Sequence, residues 1–540
     1  MGICLKLLLL RERVCKMTWF FGITIGPIYG TMSLARDTGG LWAASYLFSY
    51  ISHCLVQRLR EFPRVSVFSP NPEANRINKR VGAFSDRIYF AYDGDPEADG
   101  FFEMLERVKN EAVEEIVDDI WNSLRSKTHS DQLLKEEVRG FLRQYLQVYY
   151  VAIDDSCLYG EPVLKVLNKL LDAAELRPPY VFKNESPHLM ARFLNNETVK
   201  KSRMFAGAFG VGKFVFPSLT DIAKTETTRR KEKDGKSILE VVVQKLYAGQ
   251  SPNSDFCTIT NTNTKDPKPR MPKFANYYAL VQADGDGIGG HITSLADIGE
   301  ISNTSRTLLE YADSAVGIMT QYGAFPVYAG GDDLMFFAPL MGWCDGGHPV
   351  LILNMLRTLD EEFKKRLGDR FSLSFGLAVA YHKYPLYEAL EIAKAQLDKA
   401  KRYKTKNALG ISLTVHSGQS AQLLLTMNNT LLLDLIETLC NPLTEENVDF
   451  LRSVERKLRQ RRAVLLQILA SNSREERSSR LSWWFSQEFE GHGATLKLVQ
   501  DILGKNLDEF SSPHEALETT EAVLSFARFM GEWEEATQDA

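Results

Sequence analysis

Residues 277–292, YYALVQADGDGIGGHI, and residues 325–340, FPVYAGGDDLMFFAPL, decide how this chain folds. The first is an apolar and aromatic run that stops at Asp284 and is followed by Gly285, Gly287, Gly289 and Gly290. A buried strand running into a turn reads this way. The second is a pair of apolar runs separated only by Gly330, Gly331, Asp332 and Asp333, which predicts a tight hairpin. Between them, residues 293–322 carry Leu308, Leu309, Ala312 and Ile318 at helical spacing. Strand, helix and hairpin make a βαββ unit whose first strand neighbours the hairpin, so Asp284, Asp332 and Asp333 are expected to converge. A helix at about 349–367, a strand at 372–381, a helix at 386–403 and a strand at 409–415 complete the unit.

Converging carboxylates suit a pair of Mg²⁺ or Mn²⁺ ions, with nucleotide phosphates completing the coordination. Such ions activate a ribose hydroxyl and stabilise a pyrophosphate leaving group. Gly330 and Gly331 let the hairpin bend sharply and keep side chains away from the phosphates. A single Asp-Gly turn is commonplace on protein surfaces. Two acidic turns, each closing a hydrophobic strand in one βαββ unit, are much rarer.

Outward from this unit the chain divides further. Residues 18–25, TWFFGITI, read as a strand ended by Gly26-Pro27, and 28–62 as helix rich in small residues. Two more strands are predicted at 64–70 and 81–92, the opening of an α+β sandwich. Residues 101–176 are expected to be helical and 177–275 mixed. That stretch includes TRRKEKDGK (228–236) and a polar, Pro-rich linker at 251–274, the clearest boundary in the chain. After residue 416 no strand pattern survives, and Val448, Leu451, Val454, Leu458, Leu465 and Leu469 predict a helical bundle. The expected units are thus 1–16, 17–100, 101–272, 273–415 and 416–540.

Composition bounds the class. The 540 residues are 44% hydrophobic and 25% charged with a net charge of −5, which excludes a disordered chain and a free-standing basic coat for nucleic acid. Seven cysteines without a C-x-x-C pair argue against a zinc ribbon or disulfide framework and suit a reducing cytoplasm. Leu7–Leu10 are followed at once by Arg11, Glu12 and Arg13, too short a run for a signal peptide or a membrane span. Residues 1–16 therefore read as an extension ahead of a start at Met17, on a cytoplasmic protein with no membrane partner.

Two motifs invite over-reading. GAFGVGKF (207–214) fits G-x-x-x-x-G-K but continues with Phe214 where a P-loop needs Ser or Thr for Mg²⁺. VERKLRQRR (454–462) suits an RNA or helical-partner contact and equally a solvated helix face.

YYALVQADGDGIGGHI (277–292), VYAGGDDLMFFAPL (327–340) and AKRYKTKNALGISL (400–413) resemble the second palm domain of the large polymerase-cyclase subunit of type III CRISPR effector complexes, in the Cmr branch. ITIGPIYGTMSLARDTGGLWAASYLFSY (23–50) is similar to its first palm, and GKFVFPSLTDIAK (212–224) to its helical middle domain. The double-Asp hairpin alone would also fit a diguanylate cyclase. The resemblance implies an α+β chain of two ferredoxin-like, nucleotidyl cyclase-like palm domains, a helical middle domain and a C-terminal helical bundle. It implies partners as well: other Cmr subunits, a crRNA and a target RNA. It further implies an RNA-activated nucleotidyltransferase that makes an adenylate messenger from ATP, with a second ATP or S-adenosylmethionine as the acceptor.

By position Asp284, Asp332 and Asp333 would be the catalytic residues and would hold two Mg²⁺ or Mn²⁺ ions. Gly285, Gly287, Ile288, Gly289, Gly330 and Gly331 would line the nucleotide, and Lys401 would reach a phosphate. None of the nine histidines is followed by Asp, so the His-Asp nuclease activity of many relatives is expected to be absent. The first palm carries only Asp86, beside Arg87, where the second has its acidic hairpin, so it is expected to bind the acceptor nucleotide without metal. A catalytically weak scaffold subunit is the competing expectation.

Overall fold

The computed structural model describes residues 18–71, 81–124, 135–176, 187–209, 216–224, 270–344, 346–415, 420–440, 445–470, 473–489, 493–510 and 512–535. The extension 1–16, the run 228–236 and nearly all of the linker 251–274 lie outside these residues.

The first sheet is built from β1 (Thr18–Gly26), β2 (Val65–Ser69), β3 (Arg87–Asp93) and β4 (Gln147–Asp154), in the order β2-β3-β1-β4. Helices α1 (Ile28–Met32) and α2 (Thr38–Arg60) follow β1, and α3 (Phe101–Leu124) and α4 (Lys135–Tyr145) lead into β4. Asp37 caps α2 by accepting from the Gly40 N–H, which satisfies one of the amides a helix start leaves unpaired. Phe21 stacks on Phe90 with ring centroids 4.9 Å apart, and both are fully buried beneath α2 and α3.

Three sequence expectations are corrected here. The sheet does not close at residue 100, because β4 pairs antiparallel with β1 from Trp19↔Asp154 to Gly26↔Gln147. The segment 101–176 is accordingly not all helix. The strand expected over 81–92 also begins only at Arg87.

After β4 come α5 (Val163–Glu175) and four short helices, α6 (Pro187–Phe193), α7 (Asn196–Val199), α8 (Arg203–Phe209) and α9 (Leu219–Ala223). Helix α8 stands where a P-loop requires a strand, and residues 210–215 of that motif lie outside the described residues.

The second sheet has six strands. A short β5 (Arg270–Pro272) precedes β6 (Tyr277–Asp286), α10 (Ile288–Ser294) and α11 (Ile298–Tyr322). The hairpin is β7 (Phe325–Gly330) and β8 (Asp333–Pro339), and β9 (Met341–Trp343), β10 (Pro349–Leu351) and α12 (Ile352–Leu367) follow. Then come β11 (Ser372–Tyr381), α13 (Leu386–Lys401), β12 (Ala408–Thr414) and β13 (Ser420–Thr426), giving the order β13-β12-β11-β6-β8-β7. Strands β7, β8, β6 and β11 repeat the arrangement of the first sheet: the opening strand is central and the hairpin lies to one side of it. The sheet also runs past residue 415, because β13 pairs with β12 from Ala408↔Thr426 to Thr414↔Ser420.

The rest is helical: α14 (Thr430–Cys440), α15 (Glu445–Gln460), α16 (Arg462–Leu469), α17 (Arg474–Glu488), α18 (Gly493–Glu509) and α19 (Pro513–Gly531). A last strand, β14 (Trp533–Glu535), returns to pair with β5, and Lys273 holds Glu532 at 2.6 Å. Four of the five basic residues in 454–462 are engaged internally: Lys457 and Arg461 pair with Glu488, Arg459 with Glu455, and Arg462 with Glu518 and Glu521. Among the described residues no helix is long and apolar enough to cross a membrane.

Candidate active site

The period-two alternation of β6 creates the site. Tyr277, Ala279, Val281 and Ala283 enter the core shared with the C-terminal bundle, while Tyr278 and Leu280 face α13 and the first palm. Along that second face the strand turns polar toward its end, through Gln282, Asp284 and Asp286. Gln282 Nε2 donates to the Leu390 carbonyl of α13 at 3.3 Å.

Helix α13 can lie this close because β11 and β12 present glycines to it. A Cβ at Gly376 would fall 2.2 Å from the Ala393 carbonyl oxygen, and one at Gly410 would fall 2.5 Å from that of Gln396. The helix ends at Lys401, whose Nζ donates to the Gly285 carbonyl at 2.6 Å. The same ammonium lies 2.9 Å from Asp284 Oδ2 and 3.2 Å from Asp286 Oδ1.

Sequence reasoning missed Asp286. Its side chain is only 5% exposed, and Oδ2 accepts from Ser372 Oγ at 3.0 Å, Ser374 Oγ at 2.8 Å and the Asn407 N–H at 2.9 Å. Asn407, with φ at +45°, donates through Nδ2 to Asp360 Oδ1 at 2.9 Å, and Lys364 bonds Asp360 at 2.6 Å. The signal that could have found Asp286 is the Asp-x-Asp spacing itself, which places both carboxylates on one sheet face.

The hairpin tip arrives from the neighbouring strand. Gly331 has φ +84°, a turn geometry that glycine adopts without strain. Gly330 lies against the Tyr328 ring, where a Cβ would fall 1.8 Å from the hydroxyl oxygen. Asp332 abuts the end of β6, since a Cβ at Gly285 would fall 2.6 Å from Asp332 Cβ. Gly287, φ +83°, begins α10, and nothing lies near the exposed Gly289 and Gly290, so this rim is bare backbone.

The electrostatics follow from crowding like charges. Burial raises the Asp284 carboxyl above its ordinary range, and Lys401 works against that rise. Burial and the Asp284 charge push Asp332 up to about 6. Asp333 reaches solvent at the hairpin tip, yet it is raised by poor hydration and by Asp332, Asp284 and Asp86 together. Among the described residues no three His, Cys, Asp or Glu side chains stand close enough together to hold one ion. The hairpin tip and strand end do meet, but Asp284 is paired with Lys401. The donors still fit a hard divalent cation: carboxylate oxygens and the Gly285 carbonyl are what Mg²⁺ and Mn²⁺ prefer, and the raised pKa values mark negative charge that a cation would relieve.

The first palm reaches the same hairpin. The Ala329 N–H donates to the Gly82 carbonyl at 3.0 Å, and Gly82 forms a parallel bridge with Tyr328. Ser49 of α2 fixes that segment by accepting from the Ala83 and Phe84 amides, both at 2.9 Å. Arg87 pairs with Asp172 and Glu175.

Two palm-type sheets in one chain, the second with an acidic hairpin beside an acidic strand end, define a two-palm protein of the nucleotidyl cyclase-like class. Family comparison agrees: residues 277–410 match the model for Cas10/Cmr2, second palm domain, and residues 20–120 match that for CRISPR-associated protein Cmr2, N-terminal. The chain thus carries a region matching the Cas10/Cmr2 second palm domain and another matching the Cmr2 N-terminal domain. It is 27% identical over 174 residues to the CRISPR system Cmr subunit Cmr2 of Pyrococcus furiosus, an alignment covering 26% of this chain and 19% of that relative. The chain thus matches about a fifth of the length of that curated relative. In fold it is similar to a chain of the type III-B Cmr-beta complex bound to cognate target RNA, with TM-score 0.56, 11% identity and coverage of 87% and 78% of the two chains. A chain of the Csm1–Csm4 cassette in complex with AMPPNP gives 0.52, 14%, 97% and 71%.

Proposed function

We propose that this chain is the large subunit of a type III CRISPR effector complex, and that it is a nucleotidyltransferase making an adenylate messenger from ATP when target RNA binds. The observation that carries the reading is the acidic hairpin, Asp332 and Asp333, set against the Asp284 end of β6 inside a Cas10/Cmr2 second palm. Asp284, Asp332 and Asp333 are the residues that would hold two Mg²⁺ or Mn²⁺ ions. When bound, such ions supply the positive charge that activates an acceptor hydroxyl and neutralises departing pyrophosphate. The acceptor oxygen bonds to the α-phosphorus of ATP as the bond to the pyrophosphate oxygen breaks, pyrophosphate leaves, and the hydroxyl proton passes to solvent water.

The chain's own contribution is positioning and charge. The exposed Gly287, Gly289 and Gly290 leave backbone that phosphates can approach closely, and Gly331 keeps a side chain out of the hairpin turn. Lys401 sets a cation at the strand end. The segment Gly82–Asp86 brings the first palm to the hairpin, which supports a reading in which the acceptor nucleotide binds on that side. Partners are the other Cmr subunits, crRNA and target RNA.

The test is mass spectrometry of products from the assembled complex with target RNA and Mn²⁺, given ATP, ATP with S-adenosylmethionine, or GTP. Adenylate products are expected from ATP and none from GTP, and the S-adenosylmethionine arm decides between cyclic oligoadenylate and an S-adenosylmethionine–AMP conjugate. Equal turnover of GTP would favour a diguanylate cyclase. A second reading, a scaffold of weak activity, draws on the Lys401–Asp284 pair; no product in any arm would favour it.

A further inference from the structure

Lys401 occupies a contested position. Its ammonium is 2.9 Å from Asp284 Oδ2, a carboxylate assigned above to metal, and 3.2 Å from Asp286 Oδ1. A divalent cation arriving at Asp284 must displace or share that ammonium, because two cations cannot both sit at hydrogen-bond distance from one carboxylate oxygen without strong repulsion.

The two carboxylates are built differently. Asp284 is 39% exposed at the strand end, whereas Asp286 is 5% exposed and tied down by Ser372, Ser374 and Asn407, all on Oδ2. Oδ1 of Asp286 is buried and has no hydrogen bond of its own, so the Lys401 charge is its one close partner among the described residues. Three donors satisfy one oxygen, and the other is left aimed at Lys401. An unpaired buried carboxylate oxygen is costly, so the ammonium is held there strongly.

We propose that Asp286 is a positioning residue that holds Lys401 beside the site, so that Asp284 can surrender its share of the ammonium to a divalent cation while the positive charge stays in place for the nucleotide. The inference rests on the reading of Asp284 as a metal ligand. Asp286 itself touches neither metal nor substrate in this role. It acts through Lys401, as carboxylates behind a metal shell orient the groups in front of them.

The experiment measures Mn²⁺ binding by electron paramagnetic resonance of the free ion, on the full chain without nucleotide. The variants are Asp284→Asn, Asp286→Asn, Lys401→Met and the double variant Asp286→Asn/Lys401→Met. Asparagine keeps an acceptor for the three donors but removes the charge, so Lys401 then falls wholly to Asp284. Asp286→Asn is expected to weaken Mn²⁺ binding by about tenfold, the lower end of what outer-shell changes cost. Lys401→Met should tighten it, and the double variant should bind like Lys401→Met alone.

A loss from Asp286→Asn that persists when Lys401 is absent would overturn the proposal, since a purely structural carboxylate predicts that result. Should Asp286→Asn fail to melt cooperatively, Lys401→Met decides alone: Mn²⁺ affinity no tighter than wild type overturns it. Undiminished Mn²⁺ binding in Asp284→Asn would instead overturn the metal reading, which separates the two failures.

Discussion

Burial and the nearby Asp284 push Asp332 up to about 6, and the direction of that shift fixes how the site affects stability. In the unfolded chain an aspartate titrates at about 3.9. The folded protein therefore holds the proton more tightly, and ionising Asp332 weakens the fold. Its favourable contribution is complete below the unfolded value and is lost as pH rises through about 6. Asp332→Asn removes the charge at every pH. Without divalent ions it should melt above wild type at about pH 8, by a few degrees, with the gap closing by about pH 4. Differential scanning fluorimetry across that range checks this, and a gap independent of pH would show that ionisation is not its origin. Asp284, Asp332 and Asp333 were legible in the sequence because acids and glycines interrupt apolar strands there. Asp286 was not, because its importance lies in what Ser374 and Asn407 do behind it, and those partners come from β11 and from the turn before β12.

Helix α13 is held against the sheet by the absence of side chains at Gly376 and Gly410, and this seat lets Lys401 span to the Gly285 carbonyl. Gly376→Ala would place a methyl group 2.2 Å from both the Ala393 carbonyl oxygen and the Leu397 nitrogen. These are backbone atoms of a helix, so relief requires the whole helix to lift. Overpacking of this kind costs about 1–3 kcal/mol, read as a lower urea midpoint, and the lifted helix should also raise the KM for ATP. Full stability in Gly376→Ala would show that α13 is not seated as described. At this scale legibility was uneven. Strands β1, β6, β7, β8 and β11 stood out as apolar runs bounded by Gly, Pro or Asp. Strand β13 did not, since Leu423, Leu424 and Leu425 suit a helix as well as a strand and only pairing with β12 decides. Strand β4 had a usable signal in Val148, Tyr149, Tyr150 and Val151, but it follows a long amphipathic helix and is only half-buried throughout.

The two palms share one hydrophobic core, in which Tyr278, Leu280, Val327 and Phe337 of the second cluster with Trp42, Phe48 and Ile51 of the first, and hydrogen bonds add specific links to the hairpin, α11 and α13. Gly82 bonds Ala329 one residue before Gly330, Asn71 bonds Ser302 and Ser305 of α11, and Tyr29 of α1 holds Glu391 of α13 at 2.8 Å. Asp332 and Asp333 make none of these contacts. They sit at a turn where folding gains little from them and where mutual repulsion opposes it. Replacing both by Ala should therefore leave the palms, and assembly with partner subunits and guide RNA, intact. Nucleotide product should fall by more than about 10³, because removing one preorganised group already costs about 10²–10³ in rate and here two proposed metal ligands leave together. The measurement assembles the effector complex with the double variant, adds target RNA, ATP and Mn²⁺, and follows nucleotide products by chromatography beside guide-directed RNA cleavage. Retained RNA cleavage with lost product is the expected outcome. Normal product would remove Asp332 and Asp333 from catalysis, and loss of both activities with failed assembly would assign the hairpin to holding the two palms together.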